Sequence, residues 1–362
     1  MIRFEHEPAA APIVRPLNSL QSHLAVDSHH TSFIMPQIQL PELPDLTADL
    51  QRLIEQVPAG RVTTYGDLAR GLGNVIASRW IGSFLLHDPR AEDWPTHRVI
   101  RADGSLGLYG MGSVDDKAKR LTAEGVEISA GKVELKRFGV NNFTSSQPLR
   151  ELQALQERIP QQCSLQPPEN IPRTVAGMDV SYTAGDIGIG GYALVDVASG
   201  ELIWSTTLRC VVSFPYISTY LSFRELPVLA ALLEAASEAG FPADSYMIDG
   251  AGIMHPRRAG IATHFGVAAN LPTMGVTKKM LVGAFRSENM KIDDPREVEH
   301  QDETLGVALR PRLSSKKLIW VSPGHRMNVH VACALARRLL RGRHLPEPIY
   351  WADRLSRQET KR

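Results

Sequence analysis

At 362 residues the chain is too long for one domain of about 150 residues and long enough for two. Its 40 Lys+Arg balance 39 Asp+Glu to a formal charge of +1, so no global basic field marks a nucleic-acid binder, and any such binding must rest on local patches. A composition 43% hydrophobic and 22% charged excludes a disordered chain, and three cysteines without C-x-x-C spacing exclude a disulfide scaffold and a structural zinc site. The start, Met1-Ile-Arg-Phe-Glu-His-Glu7, is no secretory signal, and no apolar run approaches the roughly 18 residues of a membrane span. These features predict a soluble, cytoplasmic protein with no membrane partner, in a reducing compartment.

Residues 1–42 are rich in Pro, Ala, Ser and His without a sustained period and are expected to form a disordered tail. Thr47 is a candidate N-cap for a helix with Leu50, Leu53 and Ile54 on one face. Two short helices, Tyr65 to Leu72 and Ala77 to Leu86, flank Gly71-Leu-Gly73-Asn74, the outline of a helix-turn-helix or equally of a small packing unit. The polar stretch 141–149 is expected to link a domain over 43–140 to one over 150–362. Beyond it, Leu149 to Arg158 reads as a helix, and strands are expected at Thr174 to Tyr182, Ile187 to Val197 and Glu201 to Val212. A long helix follows from Leu221 to Ala239, then a strand at Ser245 to Asp249. Further strands at Thr304 to Leu309 and Lys317 to Val321 precede a closing helix, Val329 to Leu340. Strands first in a meander and then alternating with helices predict a mixed α/β sheet.

Asp179 and Asp249 stand at or near the ends of apolar strands, where an uncompensated carboxylate is costly and calls for a partner or a cation. Glu225 sits early in the long helix beside Arg224, and His325 lies between a strand and the last helix. Taken singly these are an ion pair and a capping histidine. Taken together, three acids and one imidazole suit Mg²⁺, or Mn²⁺, in a phosphodiesterase site, and the residues alone leave both readings open.

The runs Val175-Ala-Gly-Met-Asp-Val-Ser-Tyr182, Pro215-Tyr-Ile-Ser-Thr-Tyr-Leu-Ser-Phe-Arg-Glu225 and Ile248-Asp-Gly-Ala-Gly252 resemble endonuclease V. So do His255-Pro-Arg-Arg258, Gly275-Val-Thr-Lys278, Ser322-Pro-Gly-His325, and Leu345-Pro-Glu-Pro348 followed by Ala352-Asp353. The resemblance implies an RNase H-like fold and Mg²⁺-dependent nicking at the second phosphodiester 3′ to deoxyinosine or another deaminated base. Some members of the family cut inosine-containing RNA instead. It further implies that Asp179, Glu225, Asp249 and His325 hold metal and position water, and that Lys278 sits by the scissile phosphate. Tyr216 would be the wedge that replaces the extruded lesion, and Leu221, Gly250, Gly252, His255 and Ile261 would shape the lesion pocket. Ala251 stands where the family usually has His, and Ser218 where it has Pro.

In the first half, Val57-Pro-Ala-Gly-Arg-Val-Thr-Thr-Tyr-Gly-Asp-Leu-Ala69, Ser78-Arg-Trp-Ile-Gly82, Pro95-Thr-His-Arg-Val-Ile100, Asp103-Gly-Ser-Leu-Gly107 and Ala123-Glu-Gly125 resemble the C-terminal domain of O6-alkylguanine-DNA alkyltransferases. The resemblance implies a winged-helix-like, helix-turn-helix domain that flips damaged guanine, with Arg79 taking the place of the extruded base and Tyr65 rotating its phosphate. Thr96 occupies the position of the acceptor cysteine. An alcohol is a poor nucleophile towards an alkyl carbon, so alkyl transfer is not expected, although His97 and Glu124 remain. Asp88 stands where the family commonly has Asn. The combined expectation is a small α-rich lesion reader followed by a mixed α/β nuclease, acting on DNA with deaminated or alkylated bases alongside downstream repair proteins. The alternatives are an inosine-specific endoribonuclease acting on RNA and an inactive lesion-binding protein. For the first half, a domain kept only for non-specific phosphate contacts through Arg61, Arg70 and Arg79 also stands open.

Overall fold

Alternation of side chains along the strands determines how the larger part of the chain is assembled. The computed structural model describes residues 38, 40–183, 186–288, 290–292, 294–312 and 317–361. It divides into two units, one of 1–41, 157–212 and 225–362, the other of 42–156 and 213–224. The expected tail lies, through residue 37 and at 39, outside the described residues, whereas Ile38 and Leu40 pack against apolar residues of the larger unit. The stretch expected as a linker is irregular from 141 to 147, and the change of unit falls further on, between Gln156 and Glu157.

The smaller unit opens with α1 (Leu46–Glu55). Its N-cap is Asp45, whose carboxylate accepts from the N–H groups of Thr47 and Ala48 at 3.0 Å each, rather than the expected Thr47. Strand β1 (Thr63–Thr64) leads into α2 (Tyr65–Gly71), and α3 (Ser78–His87) follows a short turn at Val75–Ala77, giving the two helices anticipated from the sequence. Next come β2 (Val99–Ile100), paired in parallel with β1, and α4 (Val114–Ala123). The β3 (Ile128–Ser129) and β4 (Lys132–Val133) hairpin turns through Ala130 and Gly131, both at positive φ, the twist a two-residue hairpin needs. Then follow α5 (Leu135–Phe138) and the start of α6 (Pro148–Gln162).

The larger unit holds β5 (Thr174–Tyr182), β6 (Ile187–Asp196), β7 (Leu202–Val211), most of α7 (Leu221–Glu238), β8 (Ser245–Asp249), α8 (Ile261–Ala269) and β9 (Thr273–Thr277). It closes with β10 (Arg296–His300), β11 (Glu303–Leu309), β12 (Ile319–Pro323), α9 (Val329–Leu339) and α10 (Glu347–Glu359). The strands form one eight-stranded sheet in the order β10-β11-β12-β9-β8-β5-β6-β7. Only β5–β8 and β8–β9 pair in parallel, so the mixed α/β class expected from the sequence is found. Among the described residues, no helix is long and apolar enough to cross a membrane.

Period-two alternation assigns the two faces. Ala176, Met178, Tyr246 and Ile248 pack with α7 and α8, while Val175, Met247, Met274 and Val276 pack with α9 and α10. Asp179 and Asp249 share the second face. Their strands run side by side in register, Met178 opposite Ile248, so the two acids come next to one another. Two glycines on this face let α10 approach the sheet backbone. A Cβ on Gly177 would stand 2.0 Å from the Pro348 carbonyl oxygen, and one on Gly191, the residue paired with Asp179, 2.5 Å from that of Ala352. Backbone atoms cannot yield as a flexible side chain does. Gly191→Ala is therefore expected to lower unfolding stability by about 1–3 kcal/mol in urea titrations, and an unchanged midpoint would show that α10 is not held this closely.

Candidate metal centre and lesion-binding residues

The close approach of α10 adds a third acid to the pair supplied by the sheet. Carboxylate oxygens of Asp179, Asp249 and Asp353 lie within 4.8 Å of one another, the one such group of potential ligands among the described residues. Asp353 was assigned no role from the sequence. Its only signal was a place beside Ala352 one helical turn past the Leu345-Pro-Glu-Pro348 motif, and its partners are distant in the chain.

Lys278, just past β9, reaches Asp249 Oδ2 at 2.9 Å and Asp353 Oδ1 at 3.0 Å, while Arg357 Nη2 reaches Asp353 Oδ1 at 3.0 Å. Ser356 Oγ donates to Asp179 Oδ2 at 2.6 Å and lies 2.8 Å from Ser181 Oγ. When ionised the carboxylate can only accept, so Ser356 then gives it its proton and Ser181 donates to Ser356. Burial, then the charge of Asp249, pushes the Asp179 carboxyl up to about 7 against the pull of the Ser356 bond. Burial works against the charge on Lys278, but Asp249 and Asp353 outweigh it and hold its pKa above the ordinary value. Three acids face two cations, leaving a negative surplus when all are ionised. Hard oxygen donors with that surplus fit Mg²⁺ or Mn²⁺ and offer nothing to a soft metal.

Glu225 and His325 stand outside this set, contrary to the four-ligand expectation. Glu225 is buried on α7. His325 is occupied at both ring nitrogens. Nδ1 accepts the Ser164 N–H at 3.1 Å, which leaves the proton on Nε2, 3.2 Å from Asn270 Oδ1. Its own N–H donates to Thr273 Oγ1 at 2.9 Å, and burial followed by the charge of Arg326 lowers its pKa. The ring thus ties the loop after β12 to the end of α8, because the segment around Ser164 packs there.

The expected lesion-pocket residues meet in part. Ile261 opens α8 and crowds Gly250, where a Cβ would lie 2.3 Å from its side chain. The N–H groups of Gly250 and Gly252 are both engaged inside the larger unit. Gly250 donates to the Val276 carbonyl at 3.0 Å and Gly252 to Ser322 Oγ at 2.9 Å, and close packing, not an exposed amide, is what requires glycine at both. His255 is buried, its Nδ1 accepting from the Arg257 N–H at 3.2 Å. Tyr216 is 64% exposed and Leu221 is half-buried at the start of α7, both in the segment that belongs to the smaller unit.

In the smaller unit the residues around the missing thiol are assembled. Thr96 is buried, and its Oγ1 has no hydrogen-bond partner among the described residues. His97 Nε2 lies 2.8 Å from Glu124 Oε1, and Arg98 grips the same carboxylate through Nε and Nη2. Burial alone would raise the Glu124 pKa. The bonds from Arg98, His97 and the Gly60 N–H bring it instead to about 2. Asp88, a new charge at an otherwise neutral position, is bound by Arg90 at 2.7 Å. Tyr65 begins α2 half-buried, and Arg79 is exposed in the first turn of α3. Arg70 is paired with Asp67 at 2.6 Å.

Comparison with known proteins matches residues 154–354 to the family described as Endonuclease V. It matches residues 45–126 to the family described as 6-O-methylguanine DNA methyltransferase, DNA binding domain. The chain is 37% identical over 304 residues to a Picrophilus torridus protein named bifunctional methyltransferase/endonuclease, covering 84% of this chain and 93% of the relative. A Thermoplasma volcanium protein of the same name is 32% identical over 291 residues, covering 80% and 82% respectively. Among solved structures, the endonuclease V of Streptomyces avermitilis superposes with a TM-score of 0.53 at 32% identity, over 58% of this chain and 92% of that one.

The crowding of Asp179 has a measurable cost. With its ordinary pKa of 3.8 raised to about 7, the folded state keeps a proton that the unfolded chain has released, so stability falls as pH rises through that window. In chelator at pH 8, Asp179→Asn is expected to melt several degrees above the parent protein, with the advantage shrinking towards pH 4. Mg²⁺ is expected to raise the melting temperature of the parent and not of the variant. Equal melting curves at both pH values would rule out the charge crowding.

Proposed function

The chain belongs to the endonuclease V family and carries an alkylguanine-type DNA-binding domain ahead of the nuclease, and on that premise we propose that it nicks DNA at the second phosphodiester 3′ to deoxyinosine or another deaminated base, using Mg²⁺ or Mn²⁺. The convergence of Asp179, Asp249 and Asp353 carries this reading. These three acids would hold the ion, which would supply a Lewis acid to the phosphate and a more acidic water as nucleophile. The protein residues do the rest. Ser356 fixes the orientation of Asp179, and Lys278 stands at the acids as a fixed cation able to offset charge developing on phosphate oxygens. Tyr216, which is exposed, would fill the stack when the lesion leaves it.

The first domain would bind O6-alkylguanine and flip it without accepting the alkyl group. Arg79 would fill the vacated stack and Tyr65 would help turn the phosphate. A buried threonine replaces the nucleophile, while the His97–Glu124 pair that would activate a cysteine is in place. Tethering raises the effective concentration of one module wherever the other has bound, which suits a reader joined to a nuclease.

A strand-cleavage assay with matched inosine-containing DNA and RNA tests the first reading. Cutting of the DNA duplex in Mg²⁺ but not in chelator is expected. Asp179→Ala, Asp249→Ala and Asp353→Ala should each lose about a hundredfold or more, and Lys278→Ala about tenfold or more. Cleavage of RNA alone would reassign the substrate, and binding without cutting in any divalent ion would leave a lesion-binding protein. For the first domain, Thr96→Cys is expected to gain a single methyl group from O6-methylguanine DNA, read by intact-protein mass, where the parent protein gains none. Methylation of the parent would refute a non-catalytic reader.

A further inference from the structure

Residues 213–224, which carry Tyr216, belong to the same compact unit as residues 42–156. Phe214, Ile217, Tyr220 and Phe223 are buried in one hydrophobic cluster with Leu50, Leu72 and Ile81 of the helical unit. Tyr216 therefore projects from a base that is itself packed. Within this base Thr219 has a φ of +66°, a left-handed conformation that a β-branched residue adopts only under constraint.

The constraint comes from residues far away in the sequence. Gln156 Nε2 donates to the Thr219 carbonyl at 3.0 Å and lies 3.1 Å from Ser222 Oγ. The Tyr220 hydroxyl accepts from Asn74 Nδ2 at 2.8 Å and donates to the Leu149 carbonyl at 3.1 Å. Gln156 and Tyr220 are both fully buried, so these bonds are shielded from competing water. Asn74 uses its other amide atom as a cap. Its Oδ1 accepts the Ile76 N–H at 3.1 Å in the turn that leads into α3, whose first turn carries Arg79. One asparagine thus fastens the entry to the Arg79 helix and, through Tyr220, the segment that bears Tyr216.

We infer that Asn74 and Tyr220 are positioning residues for lesion extrusion by the nuclease half, holding the segment of Tyr216 through contacts with residues of the first half. They provide from outside the segment the stiffness that a proline at Ser218 would provide from within. The inference rests on the proposed wedge role of Tyr216 and extends it to a residue of the alkylguanine-type domain.

The full-length protein tests this with a duplex carrying 2-aminopurine beside inosine and with Ca²⁺ in place of Mg²⁺, so that unstacking is read without cutting. Tyr220→Phe keeps the ring and removes the hydroxyl. Asn74→Ser keeps a capping oxygen and loses the amide donor. Each is expected to reduce the fluorescence gain at saturating protein about two- to tenfold, the scale of one shielded hydrogen bond. Tyr216→Ala should abolish the gain, and adding either substitution to it should change nothing further, because both act through Tyr216. A parental signal in both Tyr220→Phe and Asn74→Ser, or losses in duplex affinity that add to those of Tyr216→Ala, would overturn the positioning role while leaving the wedge intact. A parental signal in Tyr216→Ala would overturn the wedge reading, and this inference with it.

Discussion

Three carboxylates crowded within 4.8 Å repel one another, and the larger unit is arranged so that they nevertheless stay together. The sheet imposes the first contact. Parallel pairing of β5 and β8 in register brings Asp179 beside Asp249 on one face. The second contact depends on the absence of side chains, since Gly177 and Gly191 let the α10 backbone lie against the strands and deliver Asp353 and Ser356. Lys278 and Arg357 offset part of the charge, and one serine proton is committed to the most buried acid. A group of acids this strained without a cation is poised to take one, because binding it exchanges repulsion for coordination.

The smaller unit shows the opposite economy. Glu124 is held by His97, Arg98 and a backbone N–H, yet the residue that this network would serve is a threonine whose hydroxyl has no partner among the described residues. The supporting architecture therefore outlasts the nucleophile. A domain built this way keeps the His97–Glu124–Arg98 network and lacks a thiolate at Thr96. Arg79 is exposed at the start of α3.

Much of this was legible in the sequence, and what was not shares a cause. Asp179 and Asp249 stood out because each interrupts or ends an apolar strand, a local pattern. Asp353 did not, because an acid on an amphipathic helix resembles any solvated acid until the helix is docked. The ties of His325 to Ser164 and Asn270 were not legible, since neither partner is near it in sequence. Gly250 and Gly252 stood out in the sequence only through the motif that holds them, whereas their crowding by Ile261 and Pro323 is a fact about packing. Even the first helix cap moved from Thr47 to Asp45, two residues away, because several capping residues compete there and geometry selects one.

By itself the sequence determined most of the strands and helices, the two-part organisation, the family motifs and the loss of the acceptor thiol, which are written in local periodicity or in the identity of single residues. It did not announce α8, β9, β10 or α10, the last of which and not Val329–Leu340 closes the chain. Tertiary structure alone decided which acids meet, what the ring nitrogens of His325 bind, and that the segment bearing Tyr216 packs with residues of the first half. Those outcomes depend on strand register, on how closely a helix can approach a sheet, and on buried hydrogen bonds between residues as far apart as Asn74 and Tyr220. Such long-range distances form only when the chain closes on itself, so no window of neighbouring residues contains them.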